Sequence, residues 1–365
     1  MRLVDDLVHD FGLDLPRLPP GRSGDPGVFG PDSIVWRIAR ERLLLLAGPA
    51  ALLMQLAHPL VAAGVADHSG FRRDPFARLR DTLAATLTIS FGDSEQAQRA
   101  AAGVRTTHRR VRGRLPHPVG SFQAGAPYDA ADPDLALWVH ATLIEAALGA
   151  YHHLVRPLTE GDRARYVDEV TRFGELFGVT HDVMPPAYGD FRAYVEAMVD
   201  GPALAVGPDG HELGLAVLDP PVSAVVRPSR PVVRVVTAAL LPDRLRDAFG
   251  LVWGPKERAA FRGIGAASRA AVPMLPPGLR FWTHARVAVR RMAMAWAPPG
   301  EAVRALALRT TVGYRAMSAD PRVVPAPFRV PRRSPSGVQA AGDGSTMRFR
   351  PSRLQVWSLG RLPYG

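Results

Sequence analysis

The chain of 365 residues contains no cysteine. That excludes disulfides, thiolate metal sites, a cysteine nucleophile and a cysteine-ligated haem. Any metal ion or haem iron must be held by histidine, carboxylate, tyrosine or methionine. Lysine is nearly absent too, since apart from Lys256 every basic side chain is an arginine. With the load of Ala, Pro and Gly, this looks like the coding bias of a GC-rich genome. The net charge of +11 and a pI near 10.9 would by themselves allow binding to nucleic acid or an anionic membrane. The arginines, however, are spread along helical stretches beside Asp and Glu. Aromatics are sparse at 7%, and no basic run interleaves with them as a stacking platform requires. No nucleic-acid partner is expected; weak association with a membrane surface stays open.

Long apolar runs are missing as well. The most apolar stretch, Leu43 to Leu56, falls short of the roughly 20 residues of a membrane span and carries Gly48-Pro49 inside it, so it reads as a buried core helix. The first eleven residues have acids where a signal peptide would be basic, so no export is expected and the expected location is cytoplasmic. No glycine-rich phosphate loop follows a strand pattern, and neither G-x-S-x-G nor H-E-x-x-H occurs.

What is present is a 47% apolar composition, ample for a sizeable core, and a succession of helical patterns. Residues 1–31 are rich in Pro and Gly after a short amphipathic segment and read as a loosely attached arm. Asp32-Ser33 caps a first helix, Gly48-Pro49 restarts the chain as a second, and His58 ends it because the residue before proline avoids the helical region. A short apolar piece and a polar loop follow. Asp74-Pro75 opens a helix to about Ser90; Phe91-Gly92 breaks it; Asp93 or Ser94 caps the next, with Gly113 as its stop. Asp132-Pro133 starts a long helix that is apolar nearly all round, and Thr159 starts an amphipathic one to Phe177. Further helices are expected over 188–199, 242–253, 256–271, 276–296 and 301–317, with helix and loop over 201–241. No strand–helix alternation or repeat is seen. The expectation is an all-α body of nine to twelve helices over 32–319, and an extended tail over 320–365 where composition shifts to Pro, Arg, Ser and Gly.

With these exclusions the eleven histidines are the main chemical resource. His108 lies toward the apolar face of its helix, following Val104 by four residues and preceding Val111 by three, while Arg109 and Arg110 point away. Arg78 and Thr82 are four apart and share a face of the preceding helix. Together these could supply an imidazole ligand, a cationic donor and a hydroxyl to a haem. Thr82 stands about 10 residues from the turn and His108 about 16, some 9 Å apart along the axis at 1.5 Å per residue, so the helices must cross or splay. On spacing alone His108 reads first as a helix-terminal histidine using the dipole, and Arg78 as a solvated surface arginine. His140 is either a satisfied core histidine or a contributor to the pocket. His58 reads as a helix cap, His68 as a turn residue, and either could face a pocket as acid or base.

The ordered set Q-L-A-H-P (55–59), D-H-S-G-F-R-R-D-P (67–75), R-L-R-D-T (78–82), F-G-D (91–93), T-H-R-R-V-R-G (107–113), Y-D-A-A-D-P (128–133) and W-V-H-A-T-L (138–143) resembles the MpaB-like oxygenase family. That family shares its catalytic domain with the latex-clearing rubber oxygenases. The resemblance covers roughly residues 32 to 320. It implies an all-helical domain enclosing haem b, with His108 as iron ligand and Arg78 and Thr82 on the distal side; His140, from its place on the buried helix, is expected among the cofactor-binding residues. It further implies dioxygen as co-substrate and an apolar, isoprenoid or natural-product substrate. Two departures stand out. Asp81 occupies the position where rubber oxygenases carry a lysine able to cap the distal iron site, and their glutamate base has no counterpart near Ala62. The alternatives are a peroxidase or dehydrogenase on the same scaffold, and a helical lipid- or isoprenoid-binding protein without catalysis.

Overall fold

The long helix predicted from Asp132 organises the structure because no side of it is polar enough to face water. In the computed structural model, which describes residues 15–68, 75–220 and 227–293, with backbone alone for 75–79, that helix lies in the core. All described residues belong to the compact unit Met1–Thr311. The expected helix over 301–317 and the tail over 320–365 fall outside the described residues.

The helices in chain order are α1 (Ile34–Ala39), α2 (Gly48–Leu56), α3 (Pro59–His68), α4 (Pro75–Phe91) and α5 (Ser94–His108), then α6 (Pro133–Ala150), α7 (Glu160–Phe177), α8 (Tyr188–Asp200) and α9 (Pro208–Leu218). They continue with α10 (Arg230–Leu240), α11 (Asp243–Ala248), α12 (Pro255–Ala271), α13 (Pro277–Arg280) and α14 (Thr283–Ala293). Among the described residues the only strands are the antiparallel pair β1 (Arg112–Arg114) and β2 (Pro127–Asp129), with Gly113 opposite Tyr128. The fold is all-α in kind. Fourteen α-helices among the described residues exceed the expected nine to twelve: α3 forms where a short apolar piece is expected, α9 and α10 lie in the stretch expected as helix and loop, and the single helix expected over 276–296 divides into α13 and α14.

Local caps explain the boundaries. Asp132 accepts hydrogen bonds from the amides of Asp134 and Leu135 ahead of Pro133, and Thr159 forms a capping box with Asp162. The N-terminus of α1 is held twice: Ser33 Oγ accepts from the amide of Trp36, and the Glu169 carboxylate from α7 accepts from those of Ile34 and Val35 at 2.6 and 3.1 Å. Within the core, Gln55 of α2 donates to Thr142 Oγ1 of α6 at 3.0 Å, and the Trp138 indole donates to the carbonyl of Met54 at 3.2 Å. Both pairs satisfy polar groups that would otherwise be stranded in an apolar interface. Among the described residues no single helix is long and apolar enough to cross a membrane, and the segments Arg42–Leu56 and Pro59–His68 meet at 107°.

The α4–α5 hairpin turns on two residues. Asp93 caps α5 through a capping box with Gln96. Gly92 has no room for a side chain, since a Cβ would lie 2.5 Å from the Thr88 carbonyl. Arg291 of α14, fully buried, fastens this turn: its guanidinium donates to the carbonyls of Phe91, Gly92 and Asp25 at 3.0, 3.2 and 2.8 Å. The described part of the N-terminal arm is anchored here too. The Arg22 amide donates to Asp93, Ser94 Oγ donates to Asp25, and Phe29 is buried against Phe173.

Replacing Arg291 by methionine removes a cation and strands three carbonyl acceptors. A loss of about 2–4 kcal/mol in unfolding free energy is expected. A change under about 0.5 kcal/mol in denaturant titrations would show that the turn holds without it.

Candidate functional site

The same hairpin is packed at one end and open at the other. Near the turn, Leu87, Ile89, Phe91, Ala97 and Ala101 are buried. Toward the far end no described side chain of the pair is: Leu83, Ala84, Ala85 and Thr86 are half-buried, Asp81 and Thr82 exposed, and on α5 nothing after Ala101 is buried. His108 is the last residue of α5 and half-buried. Arg78 falls one turn before Thr82 on α4; its backbone is helical, and its side chain lies outside the described residues. The fold therefore sets Arg78, Thr82 and His108 on the open half of one hairpin. Arg105, one turn before His108, ties this end of α5 to α7 by donating to the carbonyl of Leu176 at 2.6 Å.

His140 sits elsewhere, in the α6–α7 interface. It is 4% exposed and stacks on Phe173 with ring planes 9° apart. A backbone hydrogen bond at Val170 engages the ring, while Nε2 is buried without a hydrogen-bond partner. Gly174 leaves the space this ring fills, as a Cβ there would stand 3.1 Å from Nε2. Burial drives the pKa of His140 down to about 4. His58 is similar: buried, its Nδ1 without a hydrogen-bond partner, its ring 5.3 Å from that of Phe122, its pKa pushed down to about 4 by burial. It is a buried linker residue between α2 and α3. Nearby is a cavity of about 130 Å³ lined by Pro59, Ala62, Leu115, Val119, Pro208 and Gly210 among others, none of them from α4 or α5.

The exit from His108 is held by contacts that the sequence reading did not find. The chain passes through Val111 into β1, where Gly113 faces the ring of Tyr128; a Cβ at Gly113 would lie 2.3 Å from the phenol oxygen. That hydroxyl donates to Asp67 at 2.5 Å, and burial together with the Asp67 bond raises the tyrosine pKa. His68 stands edge-on to the same ring, with Nε2 2.9 Å from the carbonyl of Arg112. Asp67 and Tyr128 thus join the end of α3 to the strand four residues beyond His108. The only sequence signal was that both belong to quoted motifs, D-H-S-G and Y-D-A-A-D-P. Among the described residues no three His, Asp or Glu gather into a metal cluster.

A catalytic-domain family described as "ER-bound oxygenase mpaB/B'/Rubber oxygenase, catalytic domain" matches residues 36–270, and the chain belongs to this family. It is thus an oxygenase-type catalytic domain. Among individual proteins it is similar to Uncharacterized protein Rv2237 of Mycobacterium tuberculosis and Uncharacterized protein Mb2261 of Mycobacterium bovis. Each is 26% identical over 239 residues, covering 64% of this chain and 90% of the relative. No solved structure gives a significant match.

Three buried histidines, His58, His140 and His284, have folded-state pKa values near 4 against an ordinary 6.5. Between those values the unfolded chain binds more protons than the folded one, so stability falls as pH drops from 6.5 toward 4, by about 1 kcal/mol per pH unit for each. The melting temperature is expected to drop steeply from pH 7 to pH 5. A flat profile would show that these rings do not stay neutral.

Proposed function

We propose that this chain is a haem b oxygenase that uses dioxygen on an apolar substrate, isoprenoid or natural-product in class. The observation that carries the reading is the hairpin with a fastened turn and an unpacked far end. That end carries the imidazole of His108, with Arg78 and Thr82 one turn apart on the partner helix. The donor set fits the group: a neutral imidazole is among the haem-iron ligands left to a chain without cysteine, and His108 stands where the helices cease to bury each other. When bound, haem supplies the redox centre that activates dioxygen.

The chain's own contributions follow from residue chemistry. His108 would hold the iron from α5, its helix end kept in place by Arg105 on one side and by the strand that Tyr128 clamps on the other. Arg109 and Arg110, exposed beyond it, would offer cations to the propionates. Arg78 would supply a permanent positive charge and Thr82 a hydroxyl that both donates and accepts, so that charge developing on oxygen is met by fixed donors. Leu83 and Val104, half-buried in the open half, would give the substrate apolar contact. His140 fits a role in fixing the α6–α7 interface behind the site.

Purified wild-type protein should show a Soret band, at once or after haem supplementation. His108→Ala should lack it, and Thr82→Ala should keep it while losing at least tenfold, roughly, in turnover. A wild type without the band sinks the proposal; loss of haem from His140→Ala alone would move the ligand. Turnover that demands hydrogen peroxide in place of dioxygen would make the protein a peroxidase.

A further inference from the structure

Between α6 and α7 the backbone widens into a π-helical turn, Tyr151–Val155, closed by the Arg156 amide bonding the carbonyl of Tyr151. Such a turn at a helix end leaves carbonyls without partners, and α12 satisfies two of them. Arg269 donates to the carbonyl of His153, and Ser268 Oγ donates to that of Leu154 at 2.6 Å. Gly265 permits the approach, since a Cβ there would stand 2.9 Å from the His153 carbonyl oxygen. The turn carries two adjacent histidines whose rings lie 4.8 Å apart and edge-on, His152 half-buried and His153 exposed.

His152 Nδ1 receives the Leu158 amide at 2.9 Å and Arg163 Nη2 of α7 at 3.0 Å. Both partners can only donate, so Nδ1 carries no proton and the neutral ring has its N–H on Nε2. Among the described residues the two guanidiniums beside this pair have neutral partners alone: Arg163 has His152 and, at 3.5 Å, Tyr188 Oη, and Arg269 has the His153 carbonyl. The acid next to Arg163 in the chain, Asp162, is engaged by Arg37 and the Thr159 cap, and the one acid of α12, Glu257, caps its own helix at the Gly254 amide. Burial lowers the pKa of both imidazoles, and the charges of Arg163 and Arg269 lower it further. Two permanent cations thus stand close to both rings with no carboxylate to offset them, at a repulsive cost that a bound anion would remove.

We propose that Arg163, Arg269 and the His152–His153 pair form a binding site for a phosphate group, whose two negative charges match the two guanidiniums and whose oxygens accept from imidazole N–H donors. Charge selects this ligand over the others. A metal ion, which adjacent histidines would otherwise invite, is repelled by the two cations, and a carboxylate brings a single charge. The half-buried ring of Phe261 borders the pair, 5.2 Å from the ring of His153 and 6.1 Å from that of Trp253. A phosphate ester would therefore find an apolar ledge beside the anion site. The inference is independent of the cofactor reading.

The test titrates the full chain with inorganic phosphate and with phenyl phosphate by calorimetry at constant ionic strength. The wild type should bind one equivalent saturably. Arg163→Gln leaves the bonds between the turn and α12 in place and should weaken binding about tenfold, and Arg163→Gln/Arg269→Gln should lose it. If the double variant does not fold, Arg163→Gln alone decides. Arg234→Gln, exposed on α10, removes a charge elsewhere and should leave the affinity unchanged. Tighter binding of phenyl phosphate supports a phosphate ester lying on the Phe261 ledge, and equal or weaker binding supports the free ion. The proposal falls if the wild type shows no saturable binding, or if Arg234→Gln weakens it as much as Arg163→Gln, which would make it diffuse attraction to a basic chain. It also falls if binding survives the loss of Arg163, which would place it on another part of the protein.

Discussion

The buried guanidinium of Arg291 is the constraint that the rest of the site depends on. A permanent cation with no solvent exposure is tolerated only where fixed acceptors replace water. Here three carbonyls do so, two of them from the α4–α5 turn and one from the N-terminal arm. Burial lowers the arginine's pKa, and the nearby carboxylates of Asp93 and Asp25 pull it back up. One side chain of α14 thereby reaches segments 199 to 266 residues away in the chain. It accepts the burden that the end of α4 leaves, because the last carbonyls of a helix have no partners within it. The edge-on contact of Trp36 with Phe91, 4.8 Å between centres, adds apolar packing at the same corner.

A hairpin anchored so firmly at its turn can leave its other end unpacked. Packing must be complete somewhere to hold two helices together, but not everywhere. Between Leu87 and Ala101 each helix keeps a buried face, with Leu87, Ile89, Phe91, Ala97 and Ala101 on it; beyond that no described side chain of either helix is buried. What keeps the open end from fraying is supplied by neighbours: Arg105 reaching the end of α7, and the strand after His108 clamped through Tyr128 to Asp67. The arrangement suits the proposed reading, in which the open end would receive a large flat group and a substrate, since the free energy of holding the frame comes from contacts a ligand would not touch.

Much of this frame was legible in the sequence where the signals are local. Asp93, Asp132 and Thr159 each announce a helix through their own side chains, and the structure starts helices at those caps. What escaped was decided by distant partners. β1 and β2 pair across an intervening loop, so Gly113 read as a helix stop when its real task is to make room for Tyr128. The helix expected over 276–296 is interrupted because the Trp282 amide bonds the carbonyl of Arg40, and Glu41 bridges Phe281. Pro59 was expected to stop α2; that helix ends earlier, at Leu56, and Pro59 takes the first position of α3, where proline is at home. The arm seemed loose because its anchors, Asp93 and Arg291, lie far along the chain. Of the candidate site, the shared hairpin of Arg78, Thr82 and His108 was readable from spacing. The burial of His140 against Gly174 was not, since it depends on how α6 meets α7.

Asp81 brings out what is particular to this member. Adjacent residues on a helix point about 100° apart, so Asp81 and Thr82 cannot face the same wall, whereas Arg78 and Thr82 share one. Both Asp81 and Thr82 are exposed, which puts the carboxylate on the rim beside the hydroxyl. An ionised carboxylate only accepts hydrogen bonds, so it cannot donate to an oxygen species as the lysine of the rubber oxygenases could. Under the proposed reading, the donors that this motif would turn toward the oxygen are Arg78 and Thr82. The negative charge of Asp81 would draw on the same arginine that is meant to meet charge on oxygen. A site built this way leaves the position opposite His108 without a side-chain cap of lysine type, and its selectivity would rest on the competition between one carboxylate and the incoming oxygen for a single guanidinium.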